Sequence, residues 1–528
     1  MSQPTSSPNA DPNGGLGFVG SGLKQLSIPS PTENPIPYFF TTFLFVVVLY
    51  ALSPKTSSVR CLNPRKPFEF SNLRAKKLFM FHSREIMGKW FKTAPEEPVR
   101  VIADVGEVLL LPAKFANEIK SDDRLTFSKF VYSAFHAHIP GFEGFKEGGR
   151  DSHIVQAVIM KDLTKYLNKV TEPLSNETSL AVEEIFAASG SKEWQPVTIR
   201  EALLRLVAQV SSRVFLGEEL CRNDDWLAVT RDYTVHAFRA AEELRLFPYY
   251  LRSVVHWFLP SCQKARADVK KARKVIDPLL EQRRALKARG DKVEFDDAIE
   301  WFEREAQGKE YDAAVSQLIL AVAAIHTTTD LVTQVLGDLV RNPDMIQPVR
   351  DEIVTTLREG GWKKTTLYNM KLLDSVIKES QRIKPVGLIS MRRIAEAPIT
   401  LSDGTFIPKS HAIGVSASRM WDPAVYPEPE TWKGKRFYDL RSSTGNEHVA
   451  QLVSTSPEHL GFGHGQHACP GRFFAANEVK IILAHLLIGF DWRLPDGTEP
   501  KIRSFAFSLG QDPTLKMEYR AREKEIEL

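Results

Sequence analysis

The chain has 528 residues, with 69 Lys plus Arg against 65 Asp plus Glu, 43% apolar residues and 10% aromatics. A formal charge of +4 is nearly balanced at this length, which argues against a nucleic-acid partner, because such binders concentrate a basic surplus. The four cysteines, Cys61, Cys221, Cys262 and Cys469, lie far apart without a C-x-x-C pair, which excludes a disulfide framework and a cysteine-rich zinc site.

Residues 1–35 hold six Pro and five Gly among many Ser and Asn, without apolar periodicity, and read as a disordered tail. Residues 36–52, IPYFFTTFLFVVVLYAL, carry no charge; as a helix they reach about 26 Å, the short end of a membrane span. Lys55, Arg60, Arg65 and Lys66 follow, so the positive-inside rule places the rest of the chain in the cytosol. A short span suits the thin bilayer of the endoplasmic reticulum. Residues 53–71 form a basic, Pro-marked connector, and residues 72–528 contain no Gly/Ser linker or repeat. We expect one large catalytic domain there, mainly α with a small β-sheet region.

Helical periods run over Ile154–Val170, Ile199–Leu216, Thr234–Phe247, Val269–Ala288 with a kink at Pro278, and Tyr368–Ile383. Strands are expected at Val99–Val108, Ile399–Ser402, Thr405–Ile407 and His411–Ser416, the middle pair joined by an Asp403-Gly404 turn. A long helix from Asp312 to Asn342, stopped by Pro343, has Ala323-Ala324-Ile325-His326-Thr327-Thr328-Thr329-Asp330 at its centre. Small residues followed by β-branched hydroxyls in mid-helix run against propensity, so something fits against that face.

The chemistry concentrates at Phe462-Gly463-His464-Gly465-Gln466-His467-Ala468-Cys469-Pro470-Gly471. Glycines around one cysteine let the backbone approach a flat group closely. A helix follows from Arg472 to Gly489, so Cys469 sits before a helix N-terminus that biases it toward thiolate, a nucleophile or metal ligand. His459, His464, His467 and Cys469 could also suggest zinc, but no second ligand pair of matching spacing occurs.

The loop matches F-x-x-G-x-H-x-C-x-G and resembles the haem-binding signature of the cytochrome P-450 superfamily. The resemblance implies the P-450 fold, with Cys469 as thiolate ligand of the iron of haem b and His467 at a propionate. It puts Phe462 beside the thiolate, and Gly465 and Gly471 in the tight turn against the porphyrin. Glu379-Ser380-Gln381-Arg382 resembles the family's E-x-x-R, and Trp432 to Phe437 its aromatic-x-P-x-R-F segment with Gly434 in place of Pro. Glu379, Arg382 and Arg436 are then a structural ion network. Thr327 matches the threonine that steers protons to dioxygen, while His326 stands where an acid is usual and relays protons as an imidazole. Arg392 and Arg393, in Pro385–Arg393 along the pocket, are propionate candidates. No W-x-x-x-R precedes Lys161, where many members bind the other propionate; His153 and Lys161 stand there instead.

The implied activity is monooxygenation: insertion of one atom of O2 into a lipophilic small molecule. The A-A-I-H-T-T-T-D, N-P-R-K-P-F-E-F and H-A-C-P-G-R segments look like filamentous-fungal members acting on terpenoid, meroterpenoid or indole-diterpenoid intermediates of secondary metabolism. Without a G-x-G-x-x-G fingerprint the chain takes electrons from NADPH through a partner, the membrane-bound NADPH-cytochrome reductase, met by Arg472 and Lys480. Competing readings are a haem-thiolate isomerase or dehydratase that uses no O2, prompted by His326, and a haem-binding carrier without turnover.

Overall fold

The computed structural model describes residues 35–52, 59–149, 153–187, 192–291 and 294–528. The expected tail, apart from Pro35, and residues 53–58 of the connector lie outside the described residues. The chain divides into two units. The smaller contains α1 (Pro35–Leu52), an uncharged helix whose described side chains are mostly exposed. By length and composition, the described helix that could cross a membrane is the core helix Ala313–Arg341; the apolar helix Pro35–Val48 is shorter.

The larger unit is mainly helical with small sheets. Its principal helices are α2 (Leu73–Thr93), α3 (Glu143–Gly148), α4 (Leu167–Val182), α5 (Ile199–Leu220), α6 (Asp224–Arg245), α7 (Tyr249–Val255), α8 (Pro260–Ala288), α9 (Ala313–Arg341), α10 (Lys371–Ile383) and α11 (Arg472–Gly489). α9 is the axis of the core and packs against α3, α5, α6, α8, α10 and α11. The Asp312 carboxylate accepts the Val315 N–H at 3.0 Å to start it, and Pro343 follows where it ends. α8 runs unbroken through Pro278, because most of its length is held by packing on α6 and α9.

The main sheet has the order β1 (Val99–Ala103), β2 (Gly106–Leu111), β5 (Ala412–Ser416), β4 (Ile389–Ala395), β3 (Leu125–Thr126). The single strand expected at Val99–Val108 is an antiparallel hairpin that turns at Asp104–Val105, with Gly106 at φ +122°. Ile399–Thr400 pairs with Phe406–Ile407 about the expected turn, where Gly404 has φ +86°. The helix expected over Ile154–Val170 widens to a π-turn at Val158–Leu163 and breaks at Tyr166 before α4. The one expected from Tyr368 starts at Lys371, after a separate turn Lys364–Asn369.

Candidate active site

The cysteine loop closes on itself: the Cys469 N–H donates to the Phe462 carbonyl at 2.8 Å and the Ala468 N–H to Gly465 at 2.9 Å. Gly463 and Gly465 sit at φ +72° and +80°, a region that disfavours side chains. At Gly465 a Cβ would fall 2.3 Å from the Lys120 carbonyl, so no other residue fits. Gly471 differs: it has φ −87° and caps α11, and a Cβ there would meet only Ile159, at 3.8 Å. Its missing side chain leaves open space beside Cys469 rather than relieving backbone strain.

Cys469 is a free thiol, partly accessible although set deep in the fold. Burial pushes its pKa up, against the Gly471 N–H and Arg472, which favour the thiolate. The Gly471 N–H and Arg472 act in the direction expected of a helix N-terminus, and burial, which a bound cation would offset, acts against them. His464 bonds Thr455 at 3.1 Å and Asn117 at 3.0 Å, while the buried His459 faces the Lys378 carbonyl at 3.4 Å. Among the described residues no three His, Cys, Asp or Glu side chains converge as a metal cage.

Strand β4 passes beside this loop, with the Ser390 hydroxyl 3.7 Å from where a Gly463 Cβ would stand. Arg393, 4% exposed, reaches the Phe127 ring at 5.5 Å, and its guanidinium donates to the Arg392 carbonyl at 2.7 Å. Burial lowers its pKa to about 10. Burial also lowers His467, whose ring meets the Leu125 backbone, and Arg393 and His153 add to that shift by repulsion. Arg392 points elsewhere, over Phe507 at 5.7 Å and toward the buried Asp104–Arg245 pair. Among the described residues neither Arg392 nor Arg393 makes an ion pair. His153 thus shares the neighbourhood of His467, whereas Lys161 is on the surface with Glu305 at 3.0 Å.

In mid-α9, Ala323 and Thr327 are exposed although Val322, Ile325, Thr328 and Thr329 around them are buried. The exposed pair at i, i+4 shares one helix face, left open where its neighbours are covered, and is the candidate wall of a cleft. Thr327 Oγ1 donates to the Ala323 carbonyl at 2.7 Å, a back-bond that leaves the hydroxyl free to turn outward. His326 points away from that wall, with Nε2 3.3 Å from the Arg231 carbonyl on α6, and burial lowers its pKa to about 4. Gly144 and Gly148 of α3 abut Ile319, one turn before Ala323. Above them Phe135 stacks on Phe145 at 4.1 Å and meets Phe238 at 4.9 Å. The Leu388 N–H donates to the Phe507 carbonyl at 2.8 Å and the Leu509 N–H to Val386 at 3.1 Å, which joins the segment expected along the pocket to residues 507–509.

α9 and α11 meet through a residue that sequence reasoning missed. Glu478 is fully buried, accepts the Ser211 hydroxyl at 2.6 Å and bonds Thr328, next to Thr327. Burial raises its pKa to about 8. Its only sequence signal is a carboxylate within an apolar helix.

Glu379 and Arg382 are fully buried and in contact with Arg436, which is partly buried. Arg382 grips Glu379 at 2.8 and 2.9 Å and donates to the Met420 and Pro429 carbonyls at 2.7 and 2.8 Å. Arg436 reaches Glu379 at 3.0 Å. Gly434, in place of the family's Pro, is held through its carbonyl by Ser375 at 2.6 Å. Lys480, expected on a docking surface, is instead buried and pairs with Asp374 at 2.6 Å. Arg472 spends its guanidinium on the Val453 and Cys469 carbonyls.

A porphyrin needs a metal-seeking thiol, open space beside it and cations for its carboxylates. The residues fit: Cys469 provides the first, Gly471 the second, and the buried Arg393, with His467 beside it as a hydrogen-bonding partner, the third. Residues 127–516 match the family model described as Cytochrome P-450. The cytochrome P-450 monooxygenase hepE of Aspergillus oryzae is 47% identical over 489 residues, 91% of this chain and 89% of that protein. The cytochrome P-450 monooxygenase TRI1 of Fusarium sporotrichioides is 46% identical over 91% of this chain and 89% of its own length. The cytochrome P-450 monooxygenase trt6 of Aspergillus terreus is 45% identical over 80% and 86%.

Proposed function

Because this chain belongs to the cytochrome P-450 family, whose members are haem-thiolate proteins, we propose that Cys469 is the axial ligand of haem b. The chain is an oxidoreductase of the monooxygenase type. The observation that carries the ligand assignment is the buried, free Cys469 in its glycine-turned loop, beside cations that lack a carboxylate. Arg393 and His467 would hold one propionate, and Arg392 would have to turn from Phe507 to reach the other. When bound, the haem supplies reductive activation of dioxygen. Thr327 turns its hydroxyl from the Ala323 carbonyl toward the cleft and offers a proton there. Ala323 leaves room beside it. His326, which burial keeps neutral at physiological pH, faces the Arg231 carbonyl and would relay a proton only by turning toward the cleft and exchanging tautomers.

The substrate is a lipophilic small molecule, a terpenoid, meroterpenoid or indole-diterpenoid intermediate of fungal secondary metabolism, a reading supported by the similarity to monooxygenases of filamentous fungi. Electrons come from NADPH through a partner reductase. Residues 36–52 anchor the chain in the endoplasmic reticulum membrane, with the domain 72–528 in the cytosol. Within that domain none of the residues of α7 is buried, and Tyr249, Tyr250, Val254, Trp257 and Phe258 lie exposed, a surface suited to lipid.

The test is reconstitution with an NADPH-dependent reductase and a panel of terpenoid intermediates, following product, NADPH and O2. We expect product only when all three are present, and Thr327→Ala should keep NADPH consumption while product falls at least tenfold. Product formed without O2 would move the assignment to an isomerase or dehydratase.

A further inference from the structure

Lys378 precedes Glu379 on α10, and no role described so far uses it. Its side chain is 1% exposed, yet Nζ donates to the carbonyls of Val449 at 2.8 Å, Gln451 at 2.7 Å and Ser454 at 3.4 Å. An ammonium has three N–H groups and no acceptor, so three carbonyls satisfy it completely. One turn earlier, the Asp374 carboxylate accepts the Leu452 N–H at 2.8 Å. The two side chains therefore grip both polarities of residues 449–454, a segment with no helix or strand of its own. That segment is in turn the seat of the cysteine loop. Arg472 Nε donates to the Val453 carbonyl at 3.2 Å, and its Nη1 donates to the carbonyl of Cys469 at 2.9 Å. The backbone of Lys378 also faces His459 at 3.4 Å, at the entry to the loop.

We propose that Lys378 is a positioning residue for Cys469, acting through residues 449–454 and Arg472 to fix where the sulfur sits. The proposal rests on the thiolate reading. Groups beyond a metal's own ligands orient those ligands and tune them, and a relay through two backbone carbonyls is such a support. Arg382 follows Lys378 by one turn on the same face of α10, but with Glu379 and Arg436 it holds residues 420–433 rather than 449–454, so each network has its own backbone partners.

The experiment compares the wild type, Lys378→Met, Arg472→Ala and the double variant as haem-loaded full-length protein. Methionine keeps the stem and removes the donors. The readouts are the Soret band of the reduced carbon monoxide complex and amide hydrogen exchange of residues 446–456 and 462–472. In Lys378→Met we expect at least half of the band to move from the red-shifted thiolate position to the shorter wavelength of a protonated thiol. The Leu452 and Cys469 amides should exchange about tenfold faster. In the Arg472→Ala background Lys378→Met should add less than twofold, because the relay is already cut. A full thiolate band in Lys378→Met, or an independent multiplicative effect in the double variant, would overturn the proposal. If Lys378→Met does not fold, the wild type decides: the two segments must open with the same free energy, and a tenfold difference in their exchange refutes the link. Absence of the thiolate band in the wild type is a separate outcome that removes the parent reading, and this one with it.

Discussion

Glu478 shows what burial does to one carboxyl group. Its pKa rises from 4.5 to about 8 because desolvation outweighs the hydrogen bonds from Ser211 and Thr328. The native protein therefore binds a proton that the unfolded chain releases, and stability falls as pH rises from about 4.5 to 8, by up to about 5 kcal/mol. Glu478→Gln mimics the protonated acid and should flatten that slope, as read by denaturation midpoints between pH 5 and 8. Arg393 gives the opposite case, a buried cation that makes no ion pair among the described residues, in keeping with the proposed propionate site. Arg393→Met should stabilise the haem-free protein by about 1–3 kcal/mol while weakening haem retention at least tenfold, measured by urea unfolding and haem titration. The turned loop around Cys469 was legible because its glycines are written within ten consecutive residues. Glu478 was not, because Ser211 lies 267 positions away and nothing local marks the pair. The thiol's raised pKa was also hidden, since a helix N-terminus is visible in sequence and burial is not.

The helix α10 owes its fixed orientation to buried charge as well as to apolar packing. Glu379 accepts from Arg382, Arg436 and the Lys433 N–H, so Glu379→Ala leaves the fully buried Arg382 guanidinium without its carboxylate and removes one partner of Arg436. The expected cost is about 3–5 kcal/mol, a large share of ordinary domain stability, and soluble folded protein at 37 °C should fall sharply; expression and circular dichroism check it. The E-x-x-R spacing foretold that Glu379 and Arg382 share a face, but the carbonyls of Met420 and Pro429 that complete Arg382 are tertiary. Helix positions survived the passage from sequence better than strand positions. The run Val99–Val108 is apolar enough for one strand, and only the Asp-Val-Gly at 104–106 marks the turn that folds it into a hairpin. At Tyr166 a helical period continues across a break because periodicity records which face is buried, not whether the backbone is continuous.

At the scale of the whole molecule, the proposed bilayer contact has two parts that can be removed independently. Deleting residues 1–56 should release most of the protein from microsomes. Adding Trp257→Ser and Phe258→Ser, both more than half exposed, should lower the remaining vesicle binding at least threefold without loss of fold, as flotation with neutral-lipid vesicles would show. The catalytic unit itself is organised around α9, with the thiol loop, the arginine strand and the cleft wall assembled from segments that are remote in sequence. The central claim, that this assembly holds haem through Cys469, is tested most directly by the carbon monoxide difference spectrum of the dithionite-reduced full-length protein beside Cys469→Ala. We expect a red-shifted Soret band in the wild type that disappears in the variant. A folded, haem-supplemented wild type without that band, or a band that persists in Cys469→Ala, would contradict the account.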